Sequence, residues 1–272
     1  MLSPGHMSRL LSVTALALSV LACGCPRGPG PRPYAEPAVA DLLARIAATR
    51  DGVQSFSAET TMDYWMNDQR VKGTVLVMGT TGAQVRINAL SPAGNDVIAD
   101  LACDGAAYAF IDKNKNCQLS GPCSKDTIAS LFSIALAPDD FVQLAIGATP
   151  VVPGATGTVR WDGKQGKEIL ELTGEDGRTQ TIVLDARDGR ADVLSSEVKL
   201  ADGTQEWRID NTDFRGVQDH HQLQRRVPGK SRFRSPGEKA DLLVEWKERR
   251  LALPLPAAAF QLQVPEGLPR CR

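Results

Sequence analysis

The chain has 272 residues, 42% of them hydrophobic, with 31 basic side chains against 32 acidic ones and a net charge of -1. That length suits one large domain or two small ones with a sizeable core. A charge so near zero supplies no global field to gather nucleic acid or an anionic surface, so no nucleic-acid partner is expected, and a local basic run such as "RRVPGKSRFR" (Arg225 to Arg234) reads as a solvated loop.

At the N-terminus, Arg9 precedes an uncharged run from Leu10 to Ala22, too short to span a bilayer as a helix but of the length of a signal-peptide core. Val20, Leu21 and Ala22 then precede Cys23, and "VLACGC" resembles the lipobox of bacterial lipoproteins, in which the signal is cut before a cysteine that is then diacylated. Residues 1–22 are therefore expected to be a signal peptide and Cys23 the lipid anchor; Cys25 is the alternative anchor, and an ordinary secretory signal is the plainer alternative. Met7 is a second candidate start. Two acyl chains on one residue suffice for stable anchoring. Gly24, in place of the Asp that retains such lipoproteins at the inner membrane, implies by the same resemblance outer-membrane residence facing the periplasm. Export makes disulfides permissible, with Cys103, Cys117, Cys123 and Cys271 as candidates. Cys117 with Cys123 around "QLSGP", leaving Cys103 to Cys271, is one of three pairings between which sequence does not choose.

Residues 23–36 are dense in Pro and Gly and are expected to form an extended tether. A single domain then runs from 37 to 272. Val39, Leu42, Leu43 and Ile46 recur at helical spacing between Pro37 and Gly52, which predicts an amphipathic helix over about 37 to 51. Alternation predicts strands over 55–65, 69–78, 83–90, 96–103 and 106–112. The period changes at "KDTIASLFSIAL" and "PDDFVQLAIG", which predict two short helices, the second opened by Pro138-Asp139-Asp140. Strands resume at 158–161, 167–173, 179–185, 191–200, 204–213 and 241–250, several joined by Asp-Gly turns. About eleven short strands argue for an antiparallel sheet that curls, because a flat sheet of that size seldom stays open.

Chemical motifs are sparse. "DKNKNCQLSGPC" places Asp112, Asn114 and Asn116 at calcium-loop spacing, but Cys117 replaces the turn glycine and Cys123 the bidentate Glu, so it reads as a hairpin loop and no metal site is expected. His220 and His221 are the only histidines beyond the signal region, no G-x-S-x-G elbow is present, and surface-loop histidines are the simpler reading. No catalytic residue and no cofactor are expected.

One resemblance organises the rest. The run from Val71 to Gly121 ("VKGTVLVMGTTGAQVRINALSPAGNDVIADLACDGAAYAFIDKNKNCQLSG"), followed by "IASLFSIALAPDDFVQLAIG", resembles the LolB-like outer-membrane lipoproteins of the LolA/LolB carrier superfamily. The likeness is strong from about 70 to 147 and looser after 150, where "LALPLPAAAFQLQVPEG" is similar to the ending of related carriers. It implies an incomplete antiparallel barrel with an N-terminal helix and a two-helix lid. Its apolar cavity would receive acyl chains of lipoproteins or phospholipid, handed over by a LolA-like periplasmic carrier. Alternation and the family layout together nominate Phe56, Met62, Tyr64, Val75, Val77, Ile87, Leu101 and Phe110 as cavity residues, with Leu131, Phe132, Phe141 and Leu144 on the lid. The turn Pro92, Ala93, Gly94 matches the family's membrane-facing hairpin tip, which carries a Leu where this chain has Ala93. That loss of apolar area weakens membrane entry by about 1 kcal/mol or more. The reading is thus a noncatalytic, acyl-binding outer-membrane lipoprotein, with a structural accessory lipoprotein that docks an envelope complex as the alternative.

Overall fold

The structure is a computed structural model that describes residues 30–66, 69–92, 96–124, 126, 137–237 and 239–271. Cys23, Cys25, Ala93, Gly94, Leu131 and Phe132 lie outside the described residues, as do the signal region and most of the first expected lid helix.

The first half is a helix and a meander: α1 (Val39–Gly52), β1 (Ser55–Met66), β2 (Gln69–Thr80), β3 (Gln84–Leu90), β4 (Val97–Asp104), β5 (Ala107–Asp112), β6 (Cys117–Pro122) and then α2 (Pro138–Ala145). The second half is β7 (Thr156–Asp162), β8 (Lys167–Thr173), β9 (Thr179–Asp185), β10 (Asp192–Lys199), β11 (Gln205–Thr212), β12 (Arg215–Gln218), β13 (Gln224–Val227), β14 (Lys230–Ser235) and β15 (Ala240–Leu251). Thirteen strands form one sheet in the order β6-β5-β4-β3-β2-β1-β15-β14-β11-β10-β9-β8-β7, and β12-β13 is a separate hairpin. Every pairing between the strands of the sheet is antiparallel. The two meanders join where β1 pairs with β15, and β6 and β7 stand at the two ends of the sheet without pairing to each other, so the expected incomplete antiparallel barrel is the architecture found.

Two helices cover one face of the sheet, α1 over β8 and β9 and α2 over its centre. Leu42 and Ile46 of α1 pack with Leu170, Leu172, Ile182 and Leu184 of β8 and β9. Phe141, Val142 and Leu144 of α2 pack with residues of β1, β2, β11, β14 and β15. Period-2 alternation sends those strand residues to one side, and the helices cover it because an apolar sheet face requires a second layer.

Three findings correct or complete the sequence reading. First, Arg225 to Arg234 is not a solvated loop. It contributes to β13 and β14, with Ser231 and Phe233 buried, while Arg225, Arg226, Arg232 and Arg234 pair with Asp219, Asp192, Asp241 and Asp210.

Second, the disulfides are Cys103–Cys123 and Cys117–Cys271, with Cα separations of 5.9 and 4.9 Å. Cys117 and Cys123 lie at opposite ends of extended β6, roughly 20 Å apart at ~3.3 Å per residue, far outside bridging range.

Third, the described part of the expected tether, from Gly30 to Glu36, is docked. Gly30 N donates to Gly163 O at 2.9 Å, Trp161 Nε1 donates to Gly30 O at 2.8 Å, and Arg32 pairs with Glu168.

Asp185, at the end of β9, carries a measurable pH dependence. Its carboxylate accepts from Lys167 Nζ at 2.8 Å and from Arg187, and the Arg187 hydrogen bond, reinforced by Lys167, holds it well below the usual carboxylate range. A depressed carboxylate contributes stability above its unfolded pKa of about 3.9 and loses it as pH falls toward the folded value. Asp185→Asn is therefore expected to cost of the order of 1–2 kcal/mol at pH 7 and clearly less at pH 2.5. Urea melts of both proteins at the two pH values check this, and a constant difference would rule the assignment out.

Candidate functional site

The register places all eight nominated strand residues on one face. Phe56 sits opposite Gly79, Met62 opposite Gly73, Tyr64 opposite Val71, and Val77 between Ala58 and Ile87. Ile87 is next to Leu101, and Leu101 next to Phe110, while Val75 pairs with Thr60. Phe56, Met62, Val75, Val77 and Leu101 are buried, whereas Tyr64, Ile87 and Phe110 are half-buried and pack against the same core. Burial raises the Tyr64 phenol above its ordinary value, so it stays neutral. Pro92 is exposed at the hairpin tip, which Ser91 N closes on Asp96 O at 2.8 Å.

Helix α2 forms the roof. Its sequence "PDDFVQLA" starts with Pro at the first turn, where no N–H is needed. Pro138, Phe141, Val142, Gln143, Leu144 and Ala145 are all buried, so it fits like a plug more than an amphipathic surface helix. Its N-terminal end is fastened to the β2–β3 turn, where Gly82 N donates to Asp139 Oδ1 at 3.0 Å. Close approach to the sheet depends on Gly79, where a Cβ would lie 2.9 Å from both Phe56 Cε1 and Val142 Cγ2. Gly147 ends the helix at φ 86°, a left-handed conformation that favours glycine, and a Cβ there would come within 3.0 Å of Pro228 Cδ.

Between α2 and the sheet lies an apolar pocket. Phe141, Leu144 and Ala145 supply the helix side, and Ile209, Phe233, Leu242, Val244 and Trp246 the strand side. Among the described residues its only polar lining residue is Ser231, which is satisfied within a chain of hydrogen bonds. Trp246 Nε1 donates to Ser231 Oγ at 3.1 Å, Ser231 Oγ donates to Asn211 Oδ1 at 2.7 Å, and Asn211 Nδ2 donates to Val193 O at 2.9 Å. That chain fixes the indole plane, against which Phe56 packs edge-on at 6.2 Å.

The open space is about 20 Å³, roughly one water, against roughly 300–1,000 Å³ for small-molecule sites. The roof side chains therefore occupy the volume that an apolar ligand would need. Larger grooves exist but are open and lined by polar and apolar groups together. One of about 630 Å³ runs beside Tyr34, Asp41 and Arg187, and one of about 340 Å³ beside Arg45, Arg190, Arg225 and Arg226.

Of the nominated residues, Phe141 and Leu144 line the pocket, while the strand wall comes from β11, β14 and β15, which were not nominated. The signal was present in the alternation of Leu242, Val244 and Trp246. It lacked the information that β15 returns beside β1, which only the topology supplies. His220 and His221 lie in the exposed turn after β12, with ring centroids 5.6 Å apart.

Comparison with solved structures agrees on the fold. The chain is similar to a LolA superfamily protein from Nitrosomonas europaea, with a TM-score of 0.56 and 13% identity over 84% of this chain and 99% of that one. It is also similar to an outer membrane lipoprotein-sorting protein domain from Vibrio parahaemolyticus, with a TM-score of 0.53 and 12% identity over 81% and 94% of the two chains. A DUF1329 family protein from Desulfovibrio piger gives a TM-score of 0.52 and 13% identity over 84% and 98%. The fold is therefore LolA-like. No protein-family model matches the chain, and comparison with curated proteins finds no match either.

Proposed function

We propose that the protein is a noncatalytic acyl-binding lipoprotein, anchored through Cys23 at the outer membrane and facing the periplasm. In this reading it takes up acyl chains of lipoproteins or phospholipid beneath α2 and serves lipoprotein localisation or a related lipid transfer, with a LolA-like carrier as donor. The observation that carries the reading is an apolar roof: α2 buries Phe141 and Leu144 against β11, β14 and β15 and is fastened at its start by the Gly82–Asp139 hydrogen bond. Displacing the roof exchanges protein side chains for acyl methylenes at about 25 cal/mol per Å² of apolar surface on either side, a near-balanced exchange suited to reversible transfer. The LolA-like fold supports the same reading.

The test is titration of a dansylated fatty acid onto delipidated protein, with native mass spectrometry of protein extracted from its membrane. One-to-one saturable binding displaced by palmitate is expected. Asp139→Ala removes the fastening at a cost of about 0.5–1.5 kcal/mol and is expected to speed uptake about threefold or more. Absence of uptake together with absence of co-purifying lipid would overturn the reading. The nearly filled pocket would then favour the accessory alternative, in which the sheet is a docking surface.

A further inference from the structure

One side chain under the same roof is not explained by packing. Between the pairs Thr60–Trp246 and Ala58–Arg249, β1 advances two residues while β15 advances three. This bulge returns Arg249 to the face that Trp246 occupies, whereas a regular strand would send it outward. Arg249 is only 8% exposed, and its guanidinium stacks 4.2 Å over the Trp246 ring. Nη2 donates to Pro228 O at 2.7 Å, but the buried Nε and Nη1 have no partner among the described residues. No carboxylate pairs with it among the described residues. The charge that acts on it is another guanidinium, that of Arg215, which donates to the backbone oxygens of Trp246 and Lys247 at the same bulge.

A buried guanidinium normally sits in a fork with a carboxylate, because an isolated buried charge is costly. Here two of its nitrogens are open, and a second cation, Arg215, hydrogen-bonds the backbone at the same bulge. The group it lacks is an anion whose oxygens can accept from them.

The ring on which Arg249 stacks also lines the apolar pocket, so cation and pocket share Trp246 as a wall. We propose that Arg249, assisted by Arg215, binds the carboxylate or phosphate head of an anionic amphiphile whose tail lodges in the pocket beneath α2. This rests on the acyl-binding reading above and adds to it a charge requirement on the ligand. Burial, and then the repulsion from Arg215, lower the Arg249 pKa to about 9, which leaves it cationic at neutral pH and favours an incoming anion. The unpartnered nitrogens are covered in the closed structure. Since Gly147 packs on Pro228, whose carbonyl Arg249 holds, release of α2 loosens the cover on the guanidinium.

Calorimetric titration of the delipidated protein with palmitate, 1-palmitoyl lysophosphatidate and hexadecanol tests the proposal. Wild type is expected to bind at least one of the two acids tenfold or more tighter than hexadecanol, and the tighter acid identifies the head group. In Arg249→Met the ratio is expected to fall to within about twofold, with hexadecanol affinity kept. In Arg215→Gln, at an exposed position that carries the test if Arg249→Met fails to fold, it is expected to fall about threefold. Equal wild-type affinity for acids and alcohol would overturn the head-group assignment and leave acyl binding standing. A preference unmoved in every folded variant would overturn it too, as would displacement of lysophosphatidate by inorganic phosphate, which marks a bare anion site. Failure of all three amphiphiles to bind would remove both readings.

Discussion

Arg32→Ala is expected to lower the unfolding free energy by about 3–5 kcal/mol, because it strands a fully buried carboxylate. The Glu168 side chain is completely buried on β8, next to the Leu170 and Leu184 layer covered by α1. Arg32 reaches it with both arms of its fork, Nε to Oε1 at 2.8 Å and Nη2 to Oε2 at 3.0 Å, while Nη1 donates to Glu36 at 2.6 Å. The guanidinium also lies 5.8 Å over the Trp161 ring.

The same carboxylate acts on Tyr34, whose phenol is pushed up to about 12 by burial first and then by Glu168. Removing one partner of a buried pair costs far more than the pair is worth, since the survivor keeps its desolvation penalty. The double variant Arg32→Met with Glu168→Leu is accordingly expected to recover most of the loss. Urea melts of the three proteins check both statements. A loss below about 1 kcal/mol in the single variant, or a double variant no better than the single, would contradict them.

How far the sequence predicts the fold depends on whether a segment's partner is local. The strands of the meanders announce themselves through alternation bounded by Gly and Asp-Gly turns, and β1 to β5 and β7 to β11 appear where that pattern places them. Strand β6, "CQLSGP", escapes it: its Gly and Pro weaken the strand signal, and a calcium-like spacing occupies its start. Strand β14 escapes because its alternating residues are Ser and Phe set among Lys230, Arg232 and Arg234, a pattern that composition reads as solvated although Ser231 is buried against Trp246. Arg32 looks like tether chemistry because its partner is 136 residues away.

The site divides in the same way. The shared face of Phe56, Met62, Val77, Ile87, Leu101 and Phe110 follows from alternation plus hairpin register, which are local. The pocket wall and Arg249 depend on β15 lying beside β1 and on a bulge, and neither leaves a compositional trace.

Opening the Cys117–Cys271 bond by Cys271→Ser is expected to cost about 2–5 kcal/mol, more than opening Cys103–Cys123 by Cys123→Ser. In the chain-entropy account the stabilisation grows with the loop closed, and the sequence separations are 154 and 20 residues; the difference corresponds to roughly 2 kcal/mol.

The longer bond also holds an edge. The C-terminal tail runs from β15 through a 3₁₀ turn, Ala257–Phe260, that packs on β3 and β4 with Phe260 buried. Arg86 fastens it by donating from Nη1 to Ala259 O and Gln261 O while forking onto Asp100. The tail then adds itself to β6 as a parallel partner, with Gln118 N donating to Pro269 O and Cys271 N to Gln118 O, both at 2.9 Å.

Release of Cys271 therefore frees a segment that shields unpaired backbone groups on an edge strand, and such an edge recruits other chains. Cys271→Ser is expected to show faster proteolysis after Phe260 and concentration-dependent self-association, neither of which Cys123→Ser should show to the same degree. Urea melts and sedimentation velocity of the two variants decide the matter. A Cys123→Ser protein that is the less stable or the more self-associating would refute a role for the tail as the guard of β6.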